Sequence, residues 1–261
     1  MKIGGFGRLA DYEKIKIAGF DYAELDLPEI EELSQEAFES FCIKVKQEGF
    51  PVLIGSRALP IATPWFFTEQ FSLDRYKPFM IKACNRARQL DIRKIILGNG
   101  KARSILDEKS IDKRSNFIDL LSLYTQICGE NGIEMILEPL GPDYTNFINT
   151  LPDAVQVVKE IGRNNLFIMS DLRHMYRGGE SYEDIVDCVG YLHHVHIDNP
   201  TFFPERPFPT VEDNFDYSPF LNALKRSGYD DTLTIEADIP SDWTAAYQKA
   251  REVLNSINFN K

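Results

Sequence analysis

The sequence predicts an α/β fold, a single (β/α)8 or TIM barrel domain over residues 1–261. Three observations predict it. Short β-like runs alternate with longer helical stretches along the whole chain, the pattern of parallel strands joined by crossover helices. A length of 261 residues suits one such barrel. Four residues of metal-ligand type close successive hydrophobic runs in the second half: Glu138 in EMILEPLGP, Asp171 in LFIMSDLRHM, His196 in HHVHIDNP and Glu236 in LTIEAD. The gaps between them, 33, 25 and 40 residues, are close to the length of a strand–helix unit. Parallel barrel strands end on a common rim, so these four side chains are expected to meet there.

Strands are expected near 2–6, 21–27, 51–55, 93–98, 133–138, 166–171, 192–198 and 232–237. Helices are expected between them, near 9–18, 34–48, 74–90, 112–130, 150–161, 181–188, 217–227 and 242–257. Ser34 before QEAFESF, Asp153 after Leu151-Pro152, and Ser241-Asp242 supply helix-start chemistry. Gly49, Gly132, Gly162 and Gly228 stand where helices must stop. No antiparallel hairpin signal interrupts the alternation, and no Pro/Gly/Ser-rich linker divides the chain. Two loops after strands are long: GSRALPIATPWFFTEQF from Gly55, and NPTFFPERPFPTVEDN from Asn199. Long rim loops are where lids and substrate walls sit. Trp65, with Phe66 and Phe67, can pack on a sugar face there; the alternative is an aromatic anchor for the loop itself.

Composition narrows the partners. With 40 acidic and 29 basic residues the formal net charge is −11, which excludes a general nucleic-acid surface and favours a neutral substrate over an anionic one. The first residues carry no apolar signal core and no run reaches membrane-spanning length, so no membrane partner is expected and a cytoplasmic location is the expectation. The four cysteines, Cys42, Cys84, Cys128 and Cys188, show no CxxC pairing and read as free thiols.

The ligand set gives the chemistry. A carboxylate directly after a buried strand costs several kcal/mol if unpaired. Three of them beside His196 imply one shared divalent cation. An oxygen-rich set with one imidazole points to Mn2+ first, with Mg2+ or Co2+ next and Zn2+ after them. His174, three residues past Asp171, is placed to bind substrate beside the metal. Asp198 lies on the His196 face of its strand and can orient that ring or bind substrate. Arg206 is the nearest cation in the seventh loop and can hold a substrate oxygen. Glu24 and Asp26 end the second strand, with Arg57 or Lys2 as pairing candidates. Strand alternation puts His194 inside the barrel below His196 and turns His193 to the helix layer. Two glutamates across one metal suit proton transfer next to a carbonyl through a stabilised enediolate, with Glu138 and Glu236 as the acid/base pair. The outcome is epimerisation, or aldose–ketose isomerisation.

LGNGKAR (97–103), LEPLGPDYTNFINT (137–150), SDLRHM (170–175), HVHIDNP (194–200) and TIEAD (234–238) resemble the xylose isomerase-like superfamily of sugar isomerases and epimerases. The resemblance covers essentially the whole chain. It implies metal ligation by Glu138, Asp171, His196 and Glu236, substrate contact by His174, an acid/base role for Glu138 and Glu236, and a loose match of a loop arginine to Arg206. It also implies a small sugar or keto-polyol as substrate and a homodimer or homotetramer. Two departures stand out: Tyr144 replaces the usual glutamate, and PERPFPTVEDNFDY replaces a Gly-rich loop.

Competing readings differ in chemistry. A metal-dependent lyase or dehydratase of a keto-sugar or cyclitol would use the same proton abstraction and then expel a leaving group. Gly5-Phe6-Gly7-Arg8-Leu9-Ala10 matches G-x-G-x-x-A after a short strand, the signature of a nicotinamide-dependent oxidoreductase. An apurinic-site endonuclease needs more than the 4 histidines present. A sugar-binding protein with a dead site would not keep all four ligands.

Overall fold

The eight strands run in sequence order around a closed, all-parallel ring: β1 (Lys2–Gly7), β2 (Tyr22–Asp26), β3 (Val52–Ser56), β4 (Lys94–Leu97), β5 (Glu134–Leu137), β6 (Leu166–Asp171), β7 (Leu192–Ile197) and β8 (Thr232–Ile235). β1 pairs with β8 to close it, Ile3 opposite Leu233 and Gly5 opposite Ile235. This computed structural model describes residues 1–107 and 114–256; the expected helix edges at 112 and 257 lie outside the described residues.

Helices pack outside the ring. They are α1 (Tyr12–Ala18), α2 (Leu27–Glu32), α3 (Gln35–Glu48), α4 (Leu73–Gln89), α5 (Arg114–Glu130), α6 (Leu151–Ile161), α7 (Leu172–Gly178), α8 (Glu183–Asp187), α9 (Ser218–Ser227) and α10 (Trp243–Asn255). The capping chemistry is local and readable. Ser34 accepts from Ala37 N at 3.1 Å, and Asp242 accepts from Ala245 N at 3.0 Å. At α6 the cap is Thr150, with Asp153 returning the bond to the Thr150 N–H, a capping box rather than a start at Asp153. Gly49, Gly132, Gly162 and Gly228 all adopt positive φ past their helices, where a Cβ would be strained. Two helices were not expected from periodicity. α2 starts directly after β2, with Pro28 in its first turn, and α7 starts directly after β6, capped by Asp171. Both are too short to show a full apolar repeat.

The fingerprint at Gly5-Gly7 is corrected by its setting. Both glycines lie within strand β1, not in a phosphate-binding turn. A Cβ at Gly5 would press on Ile15 and Phe20, and one at Gly7 on Asp11 and Ile15. The glycines serve close helix–strand packing, and the oxidoreductase reading loses its motif.

Inside the ring, Tyr22, Ile54, Ile96, Ile136 and Met169 form a small apolar plug. Gly4 makes room for the Tyr22 ring, since a Cβ there would sit 2.3 Å from it, and the Tyr22 hydroxyl bonds Thr234 Oγ1 at 2.8 Å. The larger core fills the space between strands and helices. Phe66 and Phe67 of the third loop are buried in it, against Phe71, Phe117 and Phe147. They anchor the loop and leave Trp65, 37% exposed, as the accessible aromatic of the three. Cys84 and Cys128 are buried free thiols in contact at 3.6 Å between α4 and α5. Among the described residues no helix is long and apolar enough to cross a membrane.

His193 departs from expectation. Ile168 pairs with Leu192, but the next residue, Met169, pairs with His194, so His193 is an extra residue in β7. The bulge breaks alternation there. His193 stacks on Phe167, which packs against the barrel plug, and bonds Glu134 at 3.0 Å, so it belongs to the barrel floor and not to the helix layer.

Glu180, just past α7, accepts from Leu151 N at the start of α6 at 2.6 Å. Burial, reinforced by the nearby Asp184 and Asp153 charges, pushes its carboxyl up to about 8 although the Leu151 bond opposes this. An acid whose folded pKa lies above its unfolded value of about 4.3 binds more protons folded than unfolded in between, so its contribution to stability falls as pH rises through that interval. Glu180→Gln keeps the acceptor and removes the charge. Thermal melts at pH 5 and pH 9 are expected to show the variant gaining on wild type at the higher pH; an equal offset at both would contradict it.

Candidate metal centre

Four strand ends deliver the predicted residues to one point. Asp171 is the last residue of β6, His196 is in the last turn of pleat of β7, and Glu138 and Glu236 stand one residue beyond β5 and β8. One ligand atom from each of the four lies within 4.8 Å of all the others. His196 Nδ1 is 3.2 Å from Glu236 Oε2, 3.8 Å from Asp171 Oδ2 and 3.9 Å from Glu138 Oε1.

Local chemistry splits the duties of each group. Asp171 Oδ1 caps α7, accepting from Arg173 N at 2.7 Å, which leaves Oδ2 facing the cluster. Gly98, in the LGNGKAR turn, lets β4 approach Glu138: a Cβ there would stand 2.3 Å from Glu138 Oε2. Gly98→Ala is therefore expected to displace that carboxylate and weaken divalent-metal binding at least ~10-fold with the fold intact, as loss of a group that orients a ligand commonly does. Calorimetric titration with Mn2+ would check it, and unchanged affinity would refute it.

The donor set fits a cation. Buried His196 Nδ1 makes no aligned hydrogen bond, although groups that deeply buried are normally satisfied, and Glu236 Oε2 beside it is held by the Arg206 ion pair alone. Burial alone would lower the His196 pKa, but Glu24 and Glu236 outweigh it and hold the ring protonated well above its ordinary range. Burial alone would raise Asp171, but His174, Arg206 and His196 bring it below the usual carboxylate range. Glu236 is likewise lowered, Arg206 and His196 overcoming its burial. So much opposed charge in one buried place is what a divalent cation would replace, with release of the His196 proton.

His174 is buried, not solvent-exposed, with Nε2 3.6 Å from both Glu138 Oε1 and Asp171 Oδ2 and Nδ1 unpartnered. Tyr144, the departure from the family pattern, stands edge-on to the His174 ring at 4.7 Å and to Phe203 at 5.8 Å. It forms an aromatic wall beside His174. Arg206 reaches the cluster, with Nη2 3.1 Å from Asp171 Oδ2 and Nη1 2.6 Å from Glu236 Oε2. Trp65 makes no ring contact with the cluster among the described residues; its loop crosses the rim through the bond from Phe66 N to Ala102 O at 2.6 Å.

Two assignments change. Asp198 does not orient His196. Its Oδ2 accepts from Arg173 Nε at 2.6 Å and Arg206 Nε at 2.8 Å, so it is the buried pivot of two arginines. The group on His196 Nε2 is Glu24, at 3.0 and 3.2 Å, with His194 Nε2 on the same carboxylate at 3.1 Å. Asp26, by contrast, pairs with Arg57 as expected. The sequence reading passed over Arg173, which is fully buried and also donates to Phe202 O, Asn199 O and Glu205 O. It missed Arg103 as well, buried in the fourth loop with Nη2 on Ile148 O and Nε and Nη1 without partners. Nothing in the sequence distinguishes either from a solvated arginine.

Residues 12–257 match the xylose isomerase-like TIM barrel family. The chain belongs to that family. Within this xylose isomerase-like family, it is 27% identical over 146 residues to inosose isomerase of Bacillus subtilis, covering 52% of this chain and 51% of that protein. It is 24% identical over 184 residues to D-psicose 3-epimerase of Agrobacterium fabrum, covering 69% of this chain and 63% of that one. The chain thus spans about half to three-fifths of the curated relatives it matches. A crystal structure of the IOLI protein with a bound zinc atom superposes with a TM-score of 0.77 at 19% identity, over 98% of this chain and 99% of that one, which shows a shared fold.

Proposed function

We propose that this family member is a divalent-metal-dependent sugar isomerase or epimerase that moves a proton next to the carbonyl of a small ketose or keto-polyol. The observation that carries the reading is the meeting of Glu138, Asp171, His196 and Glu236, within 4.8 Å, around a histidine nitrogen that has no other partner. Those four would hold the cation. When bound, it supplies Lewis-acid polarisation of a carbonyl and its neighbouring hydroxyl. The family relatives named as an epimerase and an isomerase support the class.

The chain's own residues would do the rest. Glu236, ionised at neutral pH because Arg206 and His196 outweigh its burial, is in the form that takes a proton from carbon. Glu138 would have to start the cycle protonated and return its proton to the opposite face or to the adjacent carbon, so that the two carboxyl groups exchange protonation states in one turnover. Those two destinations separate epimerisation from isomerisation. His174 and Arg206 would hold substrate oxygens, and Trp65 would cover a sugar face. Asp198 serves the substrate only through the arginines it fixes. Both arginines it binds are already matched by carboxylates, which favours a neutral sugar over a phosphorylated one. Manganese is the expected ion by donor chemistry, with magnesium, cobalt or zinc as the alternatives.

A panel of keto-sugars with added Mn2+, Mg2+ or Co2+, read by chromatography, tests the proposal. In D2O the expected product carries deuterium at the epimerised or isomerised carbon. Conversion without solvent exchange would refute proton transfer, and elimination products would favour the lyase alternative.

A further inference from the structure

A line of hydrogen bonds runs from the acid cluster to the barrel floor, and each member fixes the next. Lys94 on β4 is buried and donates to His193 O, to Asp231 Oδ2 at 2.6 Å and to Thr232 Oγ1 at 2.9 Å. An ammonium only donates, so Thr232 Oγ1 is an acceptor there and its own proton goes to one of two acceptors, His193 O at 3.5 Å or the nearer His194 Nδ1 at 2.9 Å. The other His194 nitrogen, Nε2, lies 3.1 Å from the Glu24 carboxylate, which accepts. The same carboxylate accepts from His196 Nε2 at 3.0 Å. His194 and Glu24 are wholly shut off from solvent, and Thr232 is buried at 5% exposure.

One assignment of protons satisfies the whole line. Lys94 donates to Thr232, Thr232 to His194 Nδ1, and His194 Nε2 to Glu24. Glu24, an acceptor, then keeps the His196 proton on Nε2 and leaves Nδ1 facing Glu236, Asp171 and Glu138. We propose that Glu24, His194, Thr232 and Lys94 are positioning residues that fix which nitrogen of His196 meets the cation, from as far away as the barrel floor. This rests on the metal-centre reading above. The expected size of the effect is about 10- to 100-fold in metal affinity per broken link.

The test uses zinc(II), which is diamagnetic, and two-bond 1H–15N spectra of the histidine rings. In wild type, His194 Nδ1 is expected unprotonated in both metal-free and zinc-loaded protein, and zinc-loaded His196 is expected to carry its proton on Nε2. Thr232→Val removes the hydroxyl at nearly constant volume. It takes the donor from His194 Nδ1 while Glu24 still holds the His194 proton on Nε2, and it is expected to raise the zinc dissociation constant about tenfold, with Thr232→Ser restoring it. A Thr232→Val protein with unchanged zinc affinity, or one whose lost affinity Thr232→Ser does not restore, would overturn the proposal. Should that variant not fold, Glu24→Gln, which turns one acceptor into a donor, must weaken zinc at least tenfold or the proposal falls. Wild-type protein with these ring states but no zinc binding would sink the metal centre and the positioning role with it, leaving only a structural bond line.

Discussion

Glu236→Gln is expected to lower turnover by about 10²- to 10⁴-fold while the metal stays bound, the range a positioned general acid or base contributes. Glutamine keeps the length of the side chain and one oxygen that can still face a cation. It loses the charge and the ability to take a proton from carbon. The site tolerates that loss electrostatically, because Asp171 and Glu138 remain beside His196 and Arg206 keeps Asp171 and Asp198 as partners. The measurement pairs kcat at saturating metal with a direct determination of bound metal. A fall in turnover that merely tracks lost metal would remove Glu236 from the acid/base pair.

Arg173→Met is expected to destabilise the protein by about 3–5 kcal/mol, the usual cost of removing one partner from a buried ion pair, because three loop carbonyls lose their donor with it. Arg173 and Asp198 are both wholly shielded from water. Losing the guanidinium leaves Asp198 with Arg206 alone and frees the carbonyls of Asn199, Phe202 and Glu205, which tie the seventh loop down. At about 2–4 °C per kcal/mol for a large domain, the melting temperature should fall by roughly 10 °C. Lysine should not rescue it, since a single ammonium cannot copy a fork that reaches one carboxylate and three carbonyls. Urea melts of the Met and Lys variants would check this, and a loss under 1 kcal/mol would show that the loop is held by other means. Because Asp198 also grips Arg206, the same variant should loosen Arg206 at the metal site.

The two predictions differ in how much the sequence could have suggested them. Glu236 announces itself: an acid directly after LTI, at the end of a run too apolar to leave a charge unpaired. The same signal marks Glu138 and Asp171, and the strand spacing gathers them with His196. Arg173 gives no such sign, sitting among polar neighbours in SDLRHM as any surface arginine would. For Asp198 the sequence points to the wrong partner, because alternation along β7 puts it on the His196 face and says nothing of the arginines across the loop. Glu24 was noticed as a rim acid; its hold on His196 joins residues 172 apart in the chain.

Periodicity, caps and strand-end chemistry are short-range properties, so residues within a dozen positions of one another suffice to specify eight strand–helix units and the four groups that end them. Partner choice is not short-range. It depends on register between strands distant in sequence, where one added residue, His193 in β7, turns a side chain from the helix layer to the barrel floor. The fold and the four strand-end groups were therefore written along the chain, while the bonds of Glu24 to His194 and His196 and the double grip on Asp198 came into being only when the ring closed.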